Sequence, residues 1–114
     1  MFRIHSVAAW VLVLASAVPM RAAAPARPRL APADIDAIVE LVKLEDTRRF
    51  DEATLARLLR SAHPEVRRRA VLAIGRVVDP RGRALLVSAR GDADLEVTAT
   101  VAFATGQLKD PGAV

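Results

Sequence analysis

The chain has no cysteine and no tyrosine, and only one tryptophan and three phenylalanines among its 114 residues. Without thiols there is no disulfide, no thiolate zinc site, no cysteine nucleophile and no lipid-modified N-terminal cysteine. Their absence leaves the redox compartment open. Folding must therefore rest on packing alone. Trp10 lies in the N-terminal stretch, so the rest of the chain lacks the aromatic anchors that most often build ligand pockets and hot spots. After His5, His63 is the single imidazole. A catalytic base needs an oriented partner, and His63, directly before a proline, reads as a capping or loop residue instead. Ser61 and Ser88 lack the strand-turn-helix setting of a nucleophile. No acidic cluster shares metal-ligand spacing with a histidine. Glu45-Asp46 and Asp51-Glu52 read as caps and helix-dipole partners. No catalytic residue, cofactor or metal is expected.

The formal charge of +4 invites a nucleic-acid reading until the charges are located. Arg3, Arg21, Arg27 and Arg29 all precede Asp34, the first acidic residue, and the remaining Lys and Arg balance the 13 Asp and Glu. The part that folds is neutral. Its signs are nonetheless blocked: residues 34–52 carry 3 basic against 7 acidic groups, 57–90 carry 9 against 2, and 92–114 carry 1 against 4. Arg67-Arg68-Arg69, with Arg76 nearby, is the sharpest surface feature. It reads first as a solvated face paired with aspartates of adjoining turns, and second as a basic patch for an acidic partner segment or an anionic membrane surface. A neutral fold without a stacking platform argues against nucleic acid.

Residues 1–26 have the order of a secretory signal peptide: one positive charge before Ser6, an unbroken apolar or small run from Val7 to Val18, Pro19, then small residues. The run falls short of the roughly 20 apolar residues that a spanning helix needs. Small-x-small patterns at Ala15-Ser16-Ala17, Ala22-Ala23-Ala24 and Ala24-Pro25-Ala26 compete as cleavage sites, and the boundary is set at Ala26. The chain is thus expected to be exported, periplasmic or secreted, and to meet a membrane only transiently. Residues 27–33, with Pro28 and Pro32, read as an extended linker that packs poorly.

From Asp34 onward the apolar pattern is helical. Asp34 is expected to cap a helix over 35–45 through Ile35, Ile38, Val39, Leu41, Val42 and Leu44, and Asp51 to cap a second through Leu55, Leu58 and Leu59. His63-Pro64 opens a longer helix in which Val66, Ala70, Ala73, Ile74 and Val77 face one way while Val71, Leu72 and Val78 make the other side apolar, so burial on two sides is expected. Asp79-Pro80 is expected to launch the next helix, ended by Gly91, and Asp92 or Asp94 the one after. Over this region runs a repeat. Glu65-Val66, Ala73, Gly75 and Asp79-Pro80 recur, 31 positions on, as Glu96-Val97, Ala104, Gly106 and Asp110-Pro111. A period of that length marks stacked helical hairpins, each of which borrows a wall from its neighbour. Such units bind rather than catalyse. Gly75 and Gly106 lie inside helices, where each costs about 1 kcal/mol relative to Ala, which suggests close approach of a neighbouring helix at both.

Pro64-Glu65-Val66-Arg67, Ala70, Ala73, Ile74-Gly75-Arg76-Val77 and Asp79-Pro80 resemble the short HEAT-like repeat of phycobilin lyases and many bacterial scaffold proteins. The resemblance implies an all-α solenoid over residues 34–114, incomplete at its C-terminus because Asp110-Pro111 announces a helix that is not finished. It also implies a polar ladder through Arg67, which Thr98 at the matching position of the second copy puts in doubt. A bilin-lyase role conflicts with export. Leu44-Glu45-Asp46-Thr47-Arg48-Arg49-Phe50-Asp51 is similar to the N-terminal repeat region of exported bacterial cyclophilin-type peptidyl-prolyl isomerases. That similarity implies a parent protein with an isomerase domain downstream, the repeats holding another protein or an unfolded client chain. The alternative is a stand-alone periplasmic interaction protein with no enzymatic domain.

Overall fold

The computed structural model describes residues 27–109. The expected signal peptide at 1–26 and the second Asp-Pro pair, Asp110-Pro111, lie outside the described residues. Five helices follow one another: α1 (Pro32–Asp46), α2 (Glu52–Leu58), α3 (Pro64–Val77), α4 (Gly82–Ala89) and α5 (Leu95–Gln107). No strand occurs among the described residues. The helices form two layers, with α3 between α1 and α5 in one, and α2 and α4 laid across them in the other. This is the arrangement of an α-solenoid: α1–α2 and α3–α4 are hairpins, and α5 opens a third.

The core explains the layering. Val66, Ala70, Val71, Ala73, Ile74 and Gly75 of α3 are buried, which makes α3 the central wall, covered on two sides as its pattern demands. Leu41 and Leu44 of α1, Leu55 and Leu58 of α2, Leu86 of α4 and Val97, Val101 and Ala104 of α5 close around it in one continuous cluster. Burying a Leu or Val side chain contributes about 1.5–3 kcal/mol, so the few large residues on α3 are matched by large ones on α1 and α2.

Helix starts follow local chemistry. Asp51 accepts from the Thr54 N–H at 3.1 Å, His63 Nδ1 from the Glu65 N–H at 3.0 Å, and Asp94 Oδ1 from Glu96 and Val97 N–H at 3.0 and 3.1 Å. The choice between Asp92 and Asp94 thus falls to Asp94. Asp34 differs from expectation. Pro32 occupies the first helical position, where its missing N–H costs nothing, so α1 starts three residues earlier than expected and takes in the last two linker residues. Asp34 becomes a third-position acid whose carboxylate accepts the Ala31 N–H at 2.8 Å.

Two further expectations are corrected. Val78 does not extend the apolar side of α3; it ends the helix in the left-handed region at φ 56° and is exposed. Asp79-Pro80 opens a turn, Asp79 Oδ1 accepting from the Arg81 N–H at 2.9 Å, and α4 begins only at Gly82. Packing sets that start: a Cβ on Gly82 would stand 2.6 Å from Ile74 Cγ2. The turn must therefore bring bare backbone over α3 before the next helix can run.

Gly75 and Gly106, alike in sequence, diverge in space. A Cβ on Gly75 would meet the Cβ and Cα of Ala104 at 2.9 and 3.0 Å, so α3 and α5 touch nearly backbone to backbone there. One on Gly106 would meet nothing within 4 Å. The expected close approach holds for Gly75 and fails for Gly106, because no helix among the described residues covers that side of α5.

Candidate protein-binding surface

The α3 N-terminal turn carries Arg67, Arg68 and Arg69. Arg67 reaches across the hairpin ends. Its guanidinium donates to Asp92 Oδ2 and Oδ1 at 2.8 and 3.1 Å and to the Ser61 carbonyl at 2.9 Å. Both partners of the pair are largely shielded, at 19% and 11% side-chain exposure. Burial works against the Asp92 charge, yet the Arg67 hydrogen bond and the Asp94 N–H outweigh it and hold the carboxyl below its ordinary value. Arg67 thereby ties the turn before α3 to the turn before α5. The hydroxyl of Thr98, its counterpart one repeat on, donates to the Leu95 carbonyl at 2.9 Å, and among the described residues no cross-link of this kind leaves α5.

Arg68 forks onto Glu65 at 2.9 and 2.7 Å. The bond lowers the Glu65 pKa and raises that of Arg68. Arg76 pairs with Glu45 of α1 at 2.7 Å, and Arg81 forks onto Asp79 while stacking 4.7 Å above the Phe50 ring. The sequence's basic run is therefore distributed. Arg67, Arg68 and Arg76 each hold an intramolecular carboxylate, and of the four only Arg69 has none among the described residues.

The residues leading into α1 were expected to pack poorly. Residues 27–33 are indeed exposed, yet Arg27 and Pro28 are tethered. His63, 7% exposed, accepts the Glu65 N–H at Nδ1, which leaves the proton on Nε2, and that N–H donates to the Pro28 carbonyl at 2.9 Å. Arg27 lies 2.7 Å from Glu96 and 3.6 Å from both Glu65 and Asp94. One short strap thus crosses the starts of α3 and α5. Its anchor on the imidazole is a backbone carbonyl, which leaves no mark in a sequence.

Two open grooves remain. Between α2 and α4 runs one of about 450 Å³ lined by Ala56, Leu59, Leu85 and Ala89, with Arg60, Ser88 and Asp92 at its edge. Between α4 and α5 lies one of about 270 Å³, lined by Leu86, Val87 and Leu108 together with Arg83, Arg90 and Lys109. Neither was visible in the sequence, because each is made by helices that meet only in the fold. Among the described residues no three His, Asp or Glu gather as metal ligands would, and no helix is long and apolar enough to cross a membrane.

Stacked hairpins, one Arg67–Asp92 cross-link between turns and open apolar furrows define a helical repeat scaffold, a class built for protein–protein contact. Residues 52–114, more than half of the chain, match the HEAT-repeat family, and the chain belongs to it. No curated protein and no solved structure matches it. Helix α1 precedes the matched segment and nonetheless stacks on α3 as a further repeat helix would.

Proposed function

We propose that this protein is an exported HEAT-repeat scaffold that takes up a segment of another protein, an unfolded client chain above all, in the groove between α2 and α4. The open apolar floor of that groove is the observation that carries the reading. Leu59 and Leu85 are half-buried there, so an incoming apolar side chain completes their burial, while Arg60 offers a charge to an acidic neighbour. Export is supported by the order of residues 1–26, and the absence of tyrosine and cysteine from the binding region suits a surface that holds extended chains loosely.

The test is titration of the protein with a reduced, carboxymethylated client labelled with a fluorophore. Leu59→Asp and Leu85→Asp, both at partly exposed positions, should weaken binding about tenfold by placing a charge against the client. Arg69→Gln should leave it within twofold. Unchanged affinity in both Asp variants, with helicity retained, rejects the groove.

The similarity of Leu44–Asp51 to the repeat region of exported cyclophilin-type isomerases supports a narrower reading, that the array is the client-holding arm of a peptidyl-prolyl isomerase. Slow X-Pro isomerisation is a bottleneck in folding, so holding a client beside an isomerase shortens the search for its prolines. The gene sequence after the Val114 codon decides: continuation into a cyclophilin barrel supports this reading, and any other continuation leaves the scaffold to act alone.

A further inference from the structure

Helices α2 and α4 carry the groove, and their open charges are almost all of one sign. Helix α2 holds Glu52 and Arg57, with Arg60 just past its end, while α4 holds Arg83, ends at Arg90 and has no acidic residue. The neighbouring carboxylates are taken: Asp51 caps α2, Asp79 holds Arg81, Asp92 holds Arg67, and Glu40 of α1 holds Arg57. Arg60, Arg83 and Arg90 are exposed, and among the described residues none of them pairs with a carboxylate. Arg83 donates instead to the Leu108 carbonyl, at 3.0 Å. The dipoles at the ends of α2 and α4 offset about half a unit charge each. Arg69 apart, the basic run on α3 is neutralised inside the molecule, and the cationic surface lies on the other layer.

The groove between α2 and α4 also has a direction. Ala56, Leu59 and Arg60 succeed one another along its α2 wall, and Leu85, Ala89 and Gly91 along its α4 wall. Arg67 bonds both the Ser61 carbonyl and Asp92, so the turns that follow α2 and α4 lie side by side, and both walls pass from apolar to polar at the same end. There Arg60 is the open charge, because Asp92 is turned to Arg67. A Cβ added to Gly91 would meet nothing within 4 Å, which leaves that end unobstructed.

We propose that this groove selects acidic segments of its protein partner, with apolar side chains over Leu59 and Leu85 and a carboxylate on Arg60. Arg83 and Arg90 add to the positive field that the segment approaches. The inference rests on the groove reading under Proposed function and names the class of segment the groove takes. Opposite charge speeds the encounter and turns basic segments away, so the preference is greatest at low salt and shrinks as salt screens it.

The probes are fluorescein-labelled peptides of one leucine and alanine pattern that carry aspartates, asparagines or lysines at the remaining positions. On the full chain the aspartate peptide is expected to bind about tenfold tighter than the lysine peptide at low salt, with the asparagine peptide between them. Arg60→Glu should remove that gap and Arg60→Gln narrow it. Arg69→Glu changes the net charge as much as Arg60→Glu but stands outside the groove, and should alter the gap by less than about twofold. Equal binding of all the peptides, still weakened by Leu59→Asp, overturns the charge selection and leaves the groove reading intact. A gap that Arg69→Glu closes as far as Arg60→Glu does is an effect of net charge and overturns the proposal too. No binding of any peptide rejects the groove along with it. Capture by phosphatidylglycerol vesicles in place of the peptides likewise overturns it, by assigning the arginines to a membrane surface.

Discussion

Gly75 and Gly106 share a repeat position and should respond oppositely to the same substitution. At Gly75 an added methyl must push α5 away from backbone atoms at 3.0 Å, and overpacking of this kind costs about 1–3 kcal/mol. At Gly106 the methyl meets nothing, and the gain in helix propensity is worth up to about 1 kcal/mol. Thermal melts of Gly75→Ala and Gly106→Ala should therefore move in opposite directions, and a parallel shift would show that the α3–α5 contact is looser than described. Val78 offers a related test. A β-branched residue at φ 56° is strained, and its side chain is exposed. Val78→Asn should thus raise the unfolding free energy by about 0.5–1 kcal/mol, measurable in urea.

The arginines of α3 separate by what they span. Arg68 answers a carboxylate three residues away on its own helix, and such pairs contribute about 0.3–0.5 kcal/mol. Arg67 joins two turns through a shielded fork and a carbonyl. Arg67→Met leaves Asp92 with the Asp94 N–H alone and strips the Ser61 carbonyl of its donor, at a cost of about 1.5–3 kcal/mol that added salt reduces little, whereas the loss from Arg68→Gln should fade in salt. Acid acts on the same groups. The carboxyls of Asp92 and Glu65 titrate below their ordinary values in the fold, so their contribution is complete above about pH 4–4.5 and is lost as the pH falls through the depressed values. Asp92→Asn should flatten the acid limb of the stability curve while lowering stability at neutral pH.

At the scale of elements, the parts readable in the sequence are those whose cause is local. His63-Pro64 and Asp94 mark the starts of α3 and α5 because a side-chain acceptor beside the first free N–H groups is a sequence feature. The two-sided burial of α3 follows from apolar residues on both its faces. The start of α4 was misplaced because its determinant is Ile74 beneath Gly82, a packing fact with no turn signature. The arginine run was legible as charge but not as pairing: only the fold brings Asp92 to Arg67 and Glu45 to Arg76. The α2–α4 groove was illegible for the same reason, since Leu59 and Leu85 belong to different hairpins and neither stands out in its own. His63→Ala tests the element most dependent on one side chain. Loss of the α3 cap should cost about 1 kcal/mol, and the strap should become open to proteolysis on the N-terminal side of α1, as mass spectrometry of the digest would show.

Taken whole, the array is a row of neighbour contacts crossed by one long-range fastening. Hairpins α1–α2 and α3–α4 join residues near in sequence and can form as the chain emerges. The Arg27–Pro28 strap cannot, because its partners include Glu96, which lies on the third hairpin in chain order. It locks only when α5 is in place, and so records that folding has reached the third hairpin. A processing enzyme that cuts just ahead of Arg27 would find that stretch free on the nascent chain and clamped on the finished one. If residues 1–26 are the leader proposed above, maturation and folding become a race with a required order, in which its removal comes first. On that reading, pulse-labelled chains should lose residues 1–26 before the Arg27–Pro28 segment gains protease resistance.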